Sequence, residues 1–311
     1  MQNIPDTVER ALCLHKKSIG ELISLFEDSR PESLDAKKNV LQELKTRSEK
    51  NAVVIGITGT PGSGKSSLIG KIAPDLIKKN SSISVAVLAV DPSSRFTGGS
   101  ILGDRIRTRF PPDEKRLFFR SQPSENLSGG TGKNTYQVSR LISYLFDILM
   151  IETVGTGQED TEIQFIADKT FLIIEPGAGD RIQYIKSGIM EIPDFIIMNK
   201  SDREYFEESF YNLESSLQLN DEKSALFKAS AVTGEGINII SENILKIKKE
   251  KTRSDTDLHH LIEWIRNEYG LRGLAIINSS GGAENIFHRT DSLEDSMLLA
   301  ENTIEMHYRD H

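Results

Sequence analysis

Residues 53–66 read VVIGITGTPGSGKS, an apolar β-branched run that breaks into glycines and ends on Gly64-Lys65-Ser66. Val53–Thr58 has the length and composition of a buried strand. Leu68, Ile69 and Ile72 then recur at the spacing of one helix face. Strand, glycine loop and helix in that order make Gly59-Thr60-Pro61-Gly62-Ser63-Gly64-Lys65-Ser66 a G-x-x-x-x-G-K-S phosphate loop. The chemistry demands this composition. Glycines let backbone N–H groups turn inward around phosphate, Lys65 supplies a point charge at the β/γ oxygens, and the Ser66 hydroxyl reaches Mg²⁺. Ser67 extends the contact into the first helical turn.

Outward from the loop, further short apolar runs alternate with helical stretches: Ser84–Val90, Leu117–Arg120, Ile148–Glu152, Thr170–Ile174, Phe195–Asn199 and Phe227–Ser230. Strands that are apolar along their whole length are covered on both faces, so the pattern predicts a mostly parallel sheet between layers of helices. The fold class is α/β, a doubly wound P-loop NTPase domain over 49–247. A helical extension precedes it (1–48) and a helical region follows (248–311). In the extension, Val8, Ala11, Leu12, Ile19, Leu22, Ile23 and Phe26 predict one helix over 6–27, and Leu34, Val40, Leu41 and Leu44 a second. In the C-terminal region, Leu258, Leu261, Ile262 and Ile265 predict a helix closed by Gly270. Leu293, Met297, Ala300 and Ile304 predict another, with Asp291 as N-cap and a loop at Gly281-Gly282 between them.

Composition narrows the function. The 311 residues carry 38 Lys+Arg against 46 Asp+Glu, a net charge of -8. That argues against a domain-wide nucleic-acid surface and leaves room only for a local basic patch, so no nucleic acid is expected as a partner. The single cysteine, Cys13, excludes an internal disulfide framework and any CxxC site, and its place among apolar neighbours predicts a packed small residue. No secretory h-region and no apolar run of membrane-spanning length is present, which makes the cytoplasm the expected compartment and no membrane a partner.

Three further motifs stand in register with the phosphate loop. Asn199-Lys200-Ser201-Asp202 follows the apolar run from Phe195. A carboxylate there accepts both N1–H and the exocyclic amine of guanine, a donor pair that adenine lacks, and a buried Asp202 left unpaired by the wrong base would reject it. Asn199 braces the adjoining loops, Lys200 lies along base and ribose, and Ser230-Ala231 supplies the companion loop whose N–H meets guanine O6. Glu152-Thr153-Val154-Gly155 closes another strand, with Glu152 placed to hold Mg²⁺ through water and Gly155 to offer its N–H to the γ-phosphate. Asp91-Pro92-Ser93-Ser94-Arg95 ends a third and leads through a glycine-rich stretch to Asp104. Acidic strand ends flanking a flexible segment suit a nucleotide-sensing switch. Lys65, Asp91, Glu152 and Gln158 are the candidate catalytic residues. Ser66, Asp91, Asp104 and Glu152 are the candidate metal donors, with GTP or GDP and Mg²⁺ as ligands.

The segments AVDPSSRFTGGSILGDRIR (89–107), IETVGTGQED (151–160) and GDRIQYIKSGIMEIPDFIIMNKSD (179–202) resemble the MeaB/ArgK family. Its members are P-loop GTPases that act as chaperones of adenosylcobalamin-dependent methylmalonyl-CoA mutase and related acyl-CoA mutases. The resemblance runs from the N-terminal helices to about residue 245. It implies GTP hydrolysis with Mg²⁺, an acyl-CoA mutase as partner, and gating of cofactor loading. It also implies a further mobile switch at 180–188, with Asp180 and Lys186 as its charged contacts. The family dimerises through a C-terminal helical arm, which implies a homodimer, although 271–311 lies outside the matched stretch. Where Ras-type GTPases place a water-orienting Gln directly after the switch glycine, this chain has Thr156, with Gln158 two residues on. Slow intrinsic hydrolysis is the consequence.

Competing classes fit less well. A metal-insertion GTPase usually carries His-rich tracts or cysteine ligands, whereas the only adjacent histidines here, His259-His260, read as a solvated feature of a helix. A protein-targeting GTPase brings a Met-rich domain that six Met do not supply. A small-molecule kinase shares the phosphate loop but does not need the guanine-reading tetrapeptide. A mutase domain would need a D-x-H-x-x-G signature that is missing.

Overall fold

The computed structural model describes residues 4–91, 110, 111, 113–124, 131–155, 162–177, 193–219 and 224–310. Seven strands form one sheet: β1 (Val53–Gly59), β2 (Val85–Asp91), β3 (Leu117–Pro123), β4 (Ile148–Glu152), β5 (Lys169–Ile174), β6 (Phe195–Met198) and β7 (Ala225–Lys228). Their order is β3-β2-β4-β1-β5-β6-β7, and every neighbouring pair is parallel. All seven residues of β2 and all five of β4 are buried. Continuous β-branched and apolar runs are what a strand covered on both faces requires.

Each face has its own core. Against one lie the helices Lys65–Lys79 and Ile237–Ile244, with Leu68, Ile72, Leu76 and Ile240 packed on Ile55, Val87 and Met150. Against the other lie the N-terminal helices and Thr135–Ser143, with Val8, Ile19, Leu22 and Phe26 in one cluster with Val54, Leu88 and Leu149. The N-terminal extension is therefore one of the two helical layers of the sheet. The C-terminal helices form a separate cluster around Leu261, Ile265, Met297 and Ile304, which takes in Leu34 and Tyr136. Among the described residues no helix is long and apolar enough to cross a membrane.

Several local expectations are corrected. The predicted helix over 6–27 is two helices, Ile4–Leu12 and Lys16–Phe26, because Leu14 turns left-handed at φ 58°. Cys13 lies in that break and is exposed rather than packed. Gly270 does interrupt the C-terminal helix, at φ 64°, but helix resumes at once and runs to Ser279. The last helix, Leu293–Asp310, starts on Ser292 rather than Asp291: the Asp295 N–H donates to Ser292 Oγ at 3.1 Å, and that hydroxyl donates to the Asp295 carboxylate at 2.7 Å. His260 is no solvated surface group. Its ring lies 4.5 Å from that of Tyr136, and burial, with Arg140 nearby, pushes its pKa down to about 3, so it is neutral. His259 stacks on Phe165 and faces Glu162 at 3.3 Å.

A buried ion pair fastens the C-terminal helices to the sheet layer. Arg140 reaches Glu294 at 2.5 Å and Asp257 at 3.2 Å, and the Tyr136 hydroxyl donates to Asp257 at 2.6 Å. Burial opposes the Arg140 charge, but the two carboxylates outweigh it and hold its pKa above the ordinary value. Glu294 is 1% exposed. Removing one partner of such a pair strands the other, so Glu294→Ala is expected to lower stability by about 3 kcal/mol. Urea unfolding followed by Trp264, the only tryptophan, measures this. A loss below about 1 kcal/mol would mean that Asp257 alone satisfies the guanidinium.

Candidate functional site

The site lies at the carboxyl edge of the sheet, where β1 sits between β4 and β5 and its neighbours' connections diverge to either side, the usual ligand position in open α/β sheets. The backbone leaves β1 at Gly59 and enters the helix Lys65–Lys79 through Gly64, at φ 93°. Any side chain at Gly64 would place its Cβ 2.2 Å from the Asn199 amide nitrogen, so both dihedral and space require glycine. Lys65 is 7% exposed, and its Nζ donates to the carbonyls of Gly59 at 2.7 Å and Thr60 at 3.3 Å. The hydroxyls of Thr60 and Ser63 are buried in the loop without a hydrogen-bond partner. Buried polar atoms without partners are rare in folded proteins. Two in one glycine loop at a helix N-terminus suit an anionic ligand that would complete them.

The acidic residue that closes β4 touches this loop. The Ser66 hydroxyl donates to Glu152 at 2.6 Å, so two of the four sequence-predicted metal donors are in contact. Gly155, at φ 86°, lies against the loop: a Cβ there would stand 2.3 Å from Lys65 Nζ and 2.5 Å from the Gly59 carbonyl. Asp91, at the end of β2, is buried and accepts a hydrogen bond from the Ser121 hydroxyl on β3.

On the other side, Asn199 joins two loops. Its side-chain N–H donates to the Ser63 carbonyl at 2.8 Å, and its oxygen accepts the Ala231 N–H at 3.2 Å. Lys200 donates to the Gly62 carbonyl at 2.7 Å and pairs with Glu175. Ser230 is not the end of a strand as predicted. β7 stops at Lys228, and Ser230 sits in the following turn, its hydroxyl accepting the N–H groups of Val232 and Thr233 at 3.2 and 3.1 Å and donating to Asp202. Asp202 is exposed rather than buried. The Ser230 hydroxyl and the backbone N–H of Asp202 itself hold its carboxyl below the usual carboxylate range, so it is ionised and acceptor-only. Pro61, Gly62 and Ser67 are also exposed, at the loop's rim.

Asp104, Thr156, Gln158, Asp180 and Lys186 lie outside the described residues. Two residues were missed by sequence reasoning. Ser121 fixes Asp91 from a neighbouring strand and carries no local signal. Glu175 follows β5 directly, as Glu152 closes β4 and Asp91 closes β2, so the pattern of acids at parallel-strand ends could have revealed it.

Comparisons with known proteins give the chain's family and its fold relatives. Residues 19–261 match the family described as Methylmalonyl Co-A mutase-associated GTPase MeaB. A putative GTPase of Pyrococcus horikoshii is 35% identical over 257 residues, 80% of this chain and 79% of that one. The GTPase ArgK of Escherichia coli is 33% identical over 233 residues, 70% of this chain and 69% of its own. In fold, the chain is similar to the crystal structure of an LAO/AO transport system kinase, with TM-score 0.62 at 21% identity and 97% of both chains covered.

Proposed function

The chain belongs to the family of methylmalonyl-CoA mutase-associated GTPases and is itself a GTPase, and from that membership we propose that its GTP cycle gates adenosylcobalamin loading and protection of an acyl-CoA mutase. The observation that carries the nucleotide part of this reading is the pair of hydrogen bonds made by Asn199, donating to the Ser63 carbonyl in the phosphate loop and accepting the Ala231 N–H from the loop proposed to meet the base. It ties the loop proposed to cradle phosphate to the loop proposed to read the base, so a guanine nucleotide spanning both would meet two loops braced by the same side chain.

In this reading the Gly59–Ser66 loop and the start of its helix hold the phosphates through N–H groups and the hydroxyls of Thr60 and Ser63. Lys65 exchanges loop carbonyls for β/γ oxygens. Asp202 accepts the guanine donors, with Ser230 fixing the carboxylate's orientation. The residues suit Mg²⁺: Ser66 and Glu152 are hard oxygen donors already in contact, and the buried Asp91, at the end of the strand beside β4, would be the third. Bound there, Mg²⁺ would supply positive charge to the phosphate oxygens as negative charge shifts in hydrolysis. Gly155, touching Lys65, and Asp91, on its Ser121 tether, are the candidate sensors that pass loss of the γ-phosphate to the segments following them.

With Thr156 in place of a glutamine after Gly155, turnover by the isolated protein is expected to be slow and to rise when the mutase is added. The test combines phosphate release by the pure protein with a pull-down from the source cell using its GTP-loaded form. Co-purification of an acyl-CoA mutase, together with partner-stimulated release, supports the cycle. Rapid unstimulated turnover, or no mutase in the eluate, would refute it.

A further inference from the structure

Away from the nucleotide site, a cavity of ≈ 120 Å³ lies where the N-terminal segment, the helix Thr135–Ser143 and the C-terminal helices meet. Leu34, Trp264 and Met297 give it apolar walls. Lys37 lines it as well and is 3% exposed. Its ammonium donates to the Asp28 carbonyl at 2.5 Å, which uses one of three donors. Among the described residues no carboxylate forms an ion pair with Lys37; Asp28 and Glu294 act on it only through space. The acids of the cavity wall are already engaged: Glu268 pairs with Lys133, and Glu301 accepts the Tyr269 hydroxyl at 3.2 Å. His260, also in the wall, is neutral and offers no charge.

A buried ammonium without a counter-ion is costly unless something pairs with it, and the strain is visible here: burial pushes the Lys37 pKa down to about 8. A cavity that sets such a cation beside Leu34, Trp264 and Met297, with its own acids Glu268 and Glu301 already bound to Lys133 and Tyr269, has the chemistry of a binding site for a small organic anion. We propose that this cavity binds a small carboxylate with a short apolar body, its carboxylate on Lys37 Nζ and its body against Leu34, Trp264 and Met297. This site is separate from the GTP site and does not depend on the mutase reading.

The test uses the full chain, with butyrate as probe and butyramide as a neutral probe of the same shape, followed by ligand-observed NMR. Butyrate is expected to bind the unaltered protein and butyramide not to. Lys37→Met, which keeps length and removes charge, should weaken butyrate at least about tenfold, and Lys37→Arg should restore much of it. GTP affinity, measured on the same samples, should be unchanged in both variants, which separates loss of this site from loss of the fold or of the GTPase site. Equal binding of the two probes, no butyrate binding at roughly 10 mM, or undiminished binding in Lys37→Met would each overturn the proposal. If Lys37→Met does not fold, the comparison of the two probes on the unaltered protein and Lys37→Arg still decides it.

Discussion

Lys65→Ala is expected to abolish GTP turnover and to weaken GTP binding by roughly 100-fold, while leaving the fold intact. The side chain sits inside the phosphate loop, its Nζ 2.7 Å from the Gly59 carbonyl and close against Gly155. Truncation removes the buried cation that the proposed site would direct at phosphate. Charge-assisted contacts of this kind are worth about twice a neutral hydrogen bond, and losing one donor to a developing charge typically costs about 10²–10³ in rate. Within the fold, Lys65 holds the carbonyls of Gly59 and Thr60, a duty that water entering the space can take over, so the thermal midpoint should move little. Calorimetric titration with GTP, phosphate release and a thermal melt on the same sample measure the three quantities. A variant that melts normally and still hydrolyses GTP would show that the loop cradles something other than phosphate.

How far such a site can be read from sequence follows from the range of the interactions that build it. The phosphate loop is legible because one local sequence must turn backbone N–H groups inward, and only glycines at set positions allow that. The strands are legible because a parallel sheet covered on both faces forces continuous apolar runs. All seven appear, with ends displaced by up to three residues, as in β3, which continues past Arg120 to Pro123. The break at Leu14 hides because apolar residues on both sides of it keep helical spacing, and a single left-handed residue leaves no compositional mark. Tertiary pairing is less visible still. Nothing near Arg140 announces Glu294, 154 residues away, and nothing near His260 says that Tyr136 will cover it. Asp202 shows the same limit in the site itself. The role proposed for it rests on the tetrapeptide, but its exposure and its hydroxyl partner depend on where the turn after β7 comes to rest.

That exposure sharpens what Asp202→Asn should do. In a buried site the carboxylate would discriminate largely through the cost of a stranded charge, whereas here water can reach the group and that cost is small. Discrimination must then come from matched donors and acceptors. Ser230 donates to one carboxylate oxygen, and an ionised carboxylate has lone pairs enough to accept N1–H and the exocyclic amine of guanine as well. Asparagine presents one acceptor and one donor. Its amide N–H would face the guanine amine, donor against donor, but would suit xanthine, which carries a carbonyl at that position and keeps N1–H. GTP affinity is therefore expected to fall by roughly 100-fold and XTP affinity to rise, so that the order of preference inverts. Ser230 can donate to the asparagine oxygen as it did to the carboxylate, so the turn should keep its shape and the two nucleotides should compete for one site. Titration with GTP, XTP and ATP decides the matter. Unchanged GTP affinity would mean that the carboxylate does not read the base, and equal uptake of ATP by the unaltered protein would remove guanine recognition from the account altogether.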